Sequence, residues 1–190
     1  MKCTNIFLRY AESILHLAAP PFPDKFSCIE DLCFAAVREF SPVALRSEGN
    51  LGAGALERPV EAQFQDEFYR SCYTLLNKHL YLTSEWSGKV KGGRVDFRVR
   101  YKKWAVECVR EGHDLEEHIA RFHPGGRYHK WIATGEIMEY IILDFRTSEP
   151  RKARPNTPTL YFVIFSKDYT RFKIWDAELK PKEAERALTS

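Results

Sequence analysis

The chain has 190 residues, of which 44% are hydrophobic and 14% aromatic, so it holds enough apolar material for the core of one domain. A formal net charge of +3 permits nucleic-acid binding without indicating it, because compact nucleic-acid-binding domains are often more basic. No segment approaches the roughly 20 apolar residues of a membrane span, and Arg9, Glu12 and His16 interrupt the apolar start that a signal peptide would need. We therefore expect an intracellular protein without a membrane partner. A nuclear location stays open, since no basic cluster is as dense as a nuclear signal.

Five cysteines occur in the chain, but their number is odd and no CxxC pair is present. Cys28 and Cys33 have no second pair with which to complete a zinc site, so zinc is not expected. All five are expected to be reduced thiols, mostly buried: Cys3, Cys28, Cys33, Cys72 and Cys108.

Two helices are predicted in the first part of the chain. Residues 4–19 have apolar side chains at helical spacing and end at a run of prolines. Residues 29–40 repeat this spacing. The glycine-rich residues 46–55 are typical of a mobile linker. The pattern predicts an N-terminal helical extension over residues 1–50.

Residues 56–178 have the rhythm of an α/β domain. A long helix begins after Pro59, and Asp114 with Glu117 resembles a capping box at the start of another helix. The predicted elements are helix 60–78, strands 80–86, 94–100 and 103–109, helix 114–122, a helical turn at 128–134, and strands 139–145, 159–165 and 171–175. This order predicts a central mixed sheet flanked by helices. The polar residues 179–190 are expected to form a tail that frays.

Two acids lie on neighbouring predicted strands. Asp96 and Glu107 stand on either side of a predicted turn at 101–102, so they fall opposite one another across a hairpin. Each alternates with apolar neighbours, which places both carboxylates on one side of the sheet. Such a pair repels, and a divalent cation relieves the repulsion. The alternative for Glu107, an exposed acid on an edge strand partnered by Arg98 or Arg100, stays open at this point.

A third acid, Glu61, opens the long helix ahead of the sheet. A helix packed beside the hairpin could direct Glu61 towards the same cleft. An acid in a first helical turn is also favoured by the helix dipole alone, so this alternative stays open. Glu57 and Glu67 are rivals for the same role.

Together these segments resemble the PD-(D/E)xK nuclease superfamily, whose members share the restriction-endonuclease-like fold. The resemblance consists of an early helix with Glu61, the segment GRVDF with Asp96, the segment VECV with Glu107, then a polar helix and a buried strand. More narrowly, GRVDFRV…KWAVECVREG…LEEHIARFHPGGRYHKWI…YIILDFRTS is similar to the nuclease-like domains of fungal and oomycete Crinkler-type and retrotransposon-hot-spot-related proteins. The resemblance covers about residues 56–178, and the superfamily motif is short.

The resemblance implies a metal-dependent endonuclease that hydrolyses phosphodiester bonds, with DNA as the expected substrate and partner. Asp96 and Glu107 would ligate Mg²⁺ or Mn²⁺, and the backbone carbonyl of Cys108 would add a ligand. Glu61 would bind the ion directly, through water, or with a second ion. Many members are dimers, so a homodimer is a further implication, although the sequence itself carries no dimer signal.

One departure from the superfamily pattern concerns the lysine two residues after the second acid, because that position is Val109. The lysine normally steadies the attacking water and the developing charge on phosphate. Candidates to replace its charge are Arg110, Lys89, Lys91, Arg121 and Lys130. His118 and Arg121 share one face of the following helix, where both could meet the phosphate. Without a replacement, the domain would be an inactive nuclease-like module that binds nucleic acid or a protein partner. A purely structural interaction domain is the third alternative.

Basic residues near the acids predict a track for the phosphate backbone: Lys89, Lys91, Arg94, Arg98 and Lys130. The alternative is an edge strand that its charges protect from unwanted pairing. A second basic group follows the buried strand: Arg146, Arg151, Lys152 and Arg154.

Overall fold

The computed structural model describes residues 21–46, 61–79, 81–89 and 93–188. The helices in these segments are α1 (Ile29–Arg38), α2 (Pro42–Leu45), α3 (Glu61–Leu75), α4 (Leu115–Phe122) and α5 (His129–Ala133). The strands are β1 (Leu82–Trp86), β2 (Val95–Val99), β3 (Trp104–Arg110), β4 (Glu139–Arg146), β5 (Leu160–Phe165), β6 (Arg171–Asp176) and β7 (Pro181–Ala187). The predicted helix at 4–19 and most of the predicted linker lie outside the described residues.

The strands form one mixed sheet in the order of the sequence, β1 to β7. The first three are antiparallel, β4 runs parallel to β3 and β5 parallel to β4, and the last two return antiparallel. Parallel neighbours need crossover connections. Helices α4 and α5 provide the first crossover, and residues 147–159 provide the second. The predicted α/β class with a mixed sheet and flanking helices is confirmed.

Two local predictions were wrong. Part of the expected fraying tail forms β7, because β6 would otherwise be an open edge and the backbone from Pro181 to Ala187 pairs with it. The side chains of β7 stay largely exposed, which explains their polarity. The capping box is absent from α4: its N-cap, Asp114, has a left-handed φ of 49° and makes no side-chain cap hydrogen bond. The Asp114 carboxylate instead lies 3.3 Å from His113 Nδ1.

One face of the sheet packs against α1, α2 and α3 through an apolar and largely aromatic core. Phe64 of α3 stacks on Phe145 of β4 with ring centroids 4.9 Å apart, and Phe40 and Phe165 extend the cluster. Residues from Phe22 to Leu45 belong to this same core. The chain on both sides of the predicted boundary near residue 50 therefore contributes to a single core.

The other face is covered by α4, α5 and the second crossover. Ile119 and Phe122 of α4 and Trp131 of α5 pack against strand residues such as Val109. These helices and the crossover hold the polar residues described below against the sheet. Among the described segments, no helix combines the length and apolarity needed to cross a bilayer.

Candidate active site

Glu107 is the centre of a buried polar cluster on the α4 face of the sheet. It lies on β3, an interior strand between β2 and β4, and its side chain is 0% exposed. Its Oε1 accepts a hydrogen bond from Arg121 and lies 3.0 Å from His118 Nδ1. Its Oε2 is buried without a hydrogen-bond partner among the described residues. The alternative of an exposed edge-strand acid beside Arg98 or Arg100 was wrong.

Asp96 lies beside Glu107, where β2 separates from β3. The β2–β3 pairing ends at Phe97 opposite Val106, and Asp96 Oδ2 then accepts the backbone N–H of Cys108 at 2.7 Å. Because a residue's N–H and C=O point to the same side of a strand, the Cys108 carbonyl also faces β2. Burial, and next the negative charge of Glu107, raise the pKa of Asp96 to about 7. A carboxylate pair with this repulsion is the arrangement that the sequence predicted.

Glu61 is the first residue of α3 and lies near the same cluster. Burial raises its pKa, the charge of His118 opposes the rise, and the charge of Glu107 adds to it. Glu61 in turn contributes to the raised pKa of Asp96. The structure thus brings the three predicted acids into one electrostatic environment. The rival Glu67 faces the opposite way, towards α2, where it accepts the Ser41 backbone N–H at 2.7 Å; Glu57 lies outside the described residues.

Arg121 of α4 compensates two acids at once. Its guanidinium pairs with the buried Glu107 and with Glu117 one turn earlier on the helix. Burial lowers the pKa of Arg121, but the hydrogen bond to Glu117 and the charge of Glu107 outweigh this effect, so the pKa is raised. Arg121 Nη1 also lies 3.1 Å from His118 Nδ1. The predicted His118–Arg121 face therefore meets Glu107 directly.

The remaining candidates to replace the missing lysine lie elsewhere. Strand β3 continues through Arg110, so alternation places Arg110 on the face opposite Glu107. Val109, at the lysine position, is 0% exposed and packs in the apolar core under α4. Lys89 and Lys130 are exposed, and Lys91 lies outside the described residues. Of these cations, Arg121 is the one that touches Glu107.

The predicted phosphate track is only partly exposed. Arg98 is half-buried, with its guanidinium over the Trp86 ring and bonded to the Glu136 carbonyl. Arg94 is exposed and pairs with Glu85 at 3.0 Å. Lys89, Arg94 and Lys130 therefore keep side chains at the surface, whereas Arg98 is held in packing contacts.

Two residues of the cluster were not predicted. Tyr128 donates its hydroxyl to the carbonyl of Arg94 and lies 3.5 Å from Glu107 Oε1, so it ties the start of β2 to the site. Asp144 of β4 is 0% exposed, accepts the Gly112 N–H at 2.9 Å, and lies 3.3 Å from Arg146 Nη1. Burial raises the pKa of Asp144 to about 6, and the charge of Arg146 opposes the rise. An acid inside the apolar run EYIILDF was the sequence signal for Asp144.

The donor chemistry of the cluster fits a hard divalent cation. Glu107 offers an unpartnered buried carboxylate oxygen, and the raised pKa of Asp96 reflects negative charge that a dication would offset. The spacing differs from a loaded site: among the described residues, no three His, Cys, Asp or Glu side chains are grouped so as to hold a metal. Arg121 and His118 balance Glu107 instead.

Comparison with known proteins leaves the site to be interpreted from its geometry. Neither a family model, nor a curated protein, nor a solved structure matches the chain.

Proposed function

We propose that this chain is a metal-dependent nuclease that hydrolyses phosphodiester bonds in DNA and has a restriction-endonuclease-like core. The observation that carries the proposal is the convergence of three acids, Glu61, Asp96 and Glu107, on one end of the sheet. The element order α3–β1–β2–β3–α4–β4, with β4 parallel to β3, supports the proposed core.

Asp96 and Glu107 would hold Mg²⁺ or Mn²⁺ with the carbonyl of Cys108, and Glu61 would complete the oxygen ligands. The ion, when bound, lowers the pKa of a water molecule and polarises the phosphate. Arg121 would bind a phosphate oxygen, because its planar guanidinium presents several N–H donors in a fixed geometry. His118 lies within reach of a proton exchanged at Glu107.

A second candidate function is an inactive nuclease-like module that binds nucleic acid or a protein partner. Two observations favour it. Val109 fills the lysine position with a buried apolar side chain, and Arg121 already pairs with Glu107. In this alternative the ion pair between Arg121 and Glu107 replaces the metal permanently.

Cleavage of supercoiled plasmid in Mg²⁺ or Mn²⁺ tests the proposal. We expect wild-type cleavage, and a loss of about 100-fold or more in Glu107→Gln and Asp96→Asn. Glu139→Gln, an exposed acid at the start of β4, is the matched control and should cleave normally. A thermal shift with Mn²⁺ is measured in parallel. Metal binding without cleavage supports the inactive module, and the absence of both responses in the wild type overturns the metal site.

A further inference from the structure

A cleft of about 730 Å³ lies beside the acidic cluster, between the start of α4 and the crossover from β4 to β5. We call it the arginine cleft, after the basic side chains on its crossover wall: Arg146, Arg151, Lys152 and Arg154. The α4 wall includes Glu116 and Glu117. The cleft is thus lined by both signs of charge, and its preference depends on which charges are already paired.

Ion pairs within the protein account for most of the cleft's acids. Glu116 Oε1 lies 2.7 Å from Arg154 Nη2. Glu117 pairs with Arg121, and Glu149 pairs with Lys173.

The cations are not matched in the same way. Arg151 and Lys152 are exposed, and neither forms an ion pair within the described residues. The surplus charge in the cleft is therefore positive.

Buried guanidinium atoms give an independent indication of an anionic ligand. Arg146 Nε, Arg154 Nε and Arg154 Nη1 are buried and have no hydrogen-bond partner among the described residues. The Arg146 and Arg154 side chains are only 13% and 22% exposed. Buried N–H donors without acceptors are rare in folded proteins, and a bound anion is one of the few explanations for them.

The arginine cleft is continuous with the acidic cluster through α4. Glu117 lines the cleft and pairs with Arg121, whose other amino group contacts Glu107. Arg146 lines the cleft and pairs with Asp144 on the same sheet face. A polyanionic chain whose phosphate lies at Glu107 could therefore place a neighbouring phosphate in the cleft.

We propose that the arginine cleft binds a phosphodiester group of the DNA strand next to the one presented to Glu107, an inference that rests on the proposed function. Arg146 and Arg154 donate from within the cleft, and Arg151 and Lys152 contribute from its rim. Arginine suits this role because it can donate two parallel hydrogen bonds to phosphate oxygens.

The first experiment uses two variants that break one ion pair from opposite sides. Binding of the full chain to a short fluorescein-labelled DNA duplex is measured by fluorescence anisotropy in EDTA, where no cleavage occurs. We expect Arg154→Gln to raise the Kd about tenfold, because it removes donors to phosphate. Glu116→Gln breaks the same pair but leaves the donors and removes a negative charge, so its Kd should stay equal or fall. Equal weakening in both variants would mean a structural role and overturns the inference.

The second experiment reverses two charges inside and outside the cleft. Arg151→Glu/Lys152→Glu is compared with Lys25→Glu/Lys78→Glu, whose lysines are exposed on the opposite side of the sheet. Both changes alter net charge equally. We expect only the cleft variant to lower the slope of log K against log salt, by about two, because each phosphate contact contributes about 0.9. Equal slopes in the two variants overturn the inference.

The outcomes separate this inference from the proposed function. Wild-type binding that depends on the cleft, without cleavage in any metal, retains the cleft and overturns the nuclease. Cleavage with binding that ignores the cleft variants does the reverse. A thermal shift with inorganic phosphate that Arg154→Gln abolishes, while DNA binding is unchanged, shows a free-phosphate site and also overturns the inference.

Discussion

The two faces of the sheet are both covered by helices, but their strand residues differ in chemistry. On the α1–α3 face the buried strand residues are apolar, with aromatic rings such as Phe145 and Phe165 at the centre. On the α4 face the strands also bury Glu107 and Asp144, each 0% exposed. Arg121 and Arg146 pair with these acids from α4 and from β4 itself.

The difference shows that one face is arranged for packing and the other for charge. Burial of an acid is costly unless it is compensated, and the α4 face compensates each acid with a single arginine. The same face also holds the raised pKa values of Asp96 and Asp144 and the unpartnered donors of the arginine cleft. We therefore expect substitutions on the two faces to have different energetic signatures.

The largest effect is expected on the aromatic face. Phe145→Ala should lower the free energy of unfolding by about 3–5 kcal/mol, because its ring is enclosed by other aromatic rings. Phe162→Ala on the α4 face is the matched control, since Phe162 is equally buried but lines the cleft, where water can enter the space. Its cost should be smaller by about 1 kcal/mol or more. Equal costs in urea unfolding would remove the energetic distinction between the faces.

The next effect concerns the cation that compensates Glu107. Arg121→Met leaves a buried charge without its partner and should destabilise the protein by about 2–4 kcal/mol in EDTA. Mn²⁺ should then raise the Tm of this variant more than that of the wild type, because the ion would take over the compensation. Arg127→Met is the control: Arg127 is exposed, 3.5 Å from Glu117, and its loss should cost less than about 0.5 kcal/mol. A stable Arg121→Met would show that Glu107 is compensated by another group.

A gain of stability is expected at Asp96. Its folded pKa of about 7 lies above the ordinary 3.8, so the folded state holds this proton to higher pH than the unfolded state does. The stability contributed by the protonated carboxyl is present below about pH 4 and is lost as the pH rises to about 7. Asp96→Asn should therefore be about 1–3 kcal/mol more stable than the wild type at about pH 8 in EDTA, and similar to it at about pH 4. Asp24→Asn, at an exposed position, should show no such difference; a wild-type stability that rises over this pH interval would contradict the assignment.

The smallest effect is expected for the hydroxyl of Tyr128. Tyr128→Phe removes the hydrogen bond to the Arg94 carbonyl and should cost about 0.5–1.5 kcal/mol while keeping the stacked ring. Because this bond ties β2 to the site, the affinity for Mn²⁺ should fall as well. Tyr140→Phe, whose ring also stacks on Phe122, controls for the loss of a hydroxyl. An unchanged metal affinity would limit Tyr128 to packing.

Most elements of the fold could be predicted because they depend on local patterns. The alternation of Val95, Phe97 and Val99 predicted β2, and the apolar stripe containing Phe64 and Phe68 predicted α3. Strand β7 could not be predicted in this way, since its side chains are mostly exposed and its formation depends on the open edge of β6. The left-handed backbone at Asp114 also depends on the tertiary context of α4.

The candidate site was predictable in its acids but not in their partners. Asp96 and Glu107 stood out because each interrupts an apolar alternation, and Glu61 because it opens α3. Tyr128 and Asp144 were missed, although a buried run with one acid was a signal for Asp144. Contacts such as that between Arg121 and Glu107 join separate elements, so no local periodicity predicts them.

The sequence by itself determined the alternation of elements and the position of the acids along β2 and β3, because side-chain periodicity is a local property of the backbone. Only the tertiary structure decided that β3 is an interior strand, that Glu107 is fully buried, and that Arg121 lies against it. These facts depend on which strands become neighbours and on which helix covers them. The burial of an acid and the identity of its partner are set when distant segments pack together, so they become visible only in the folded chain.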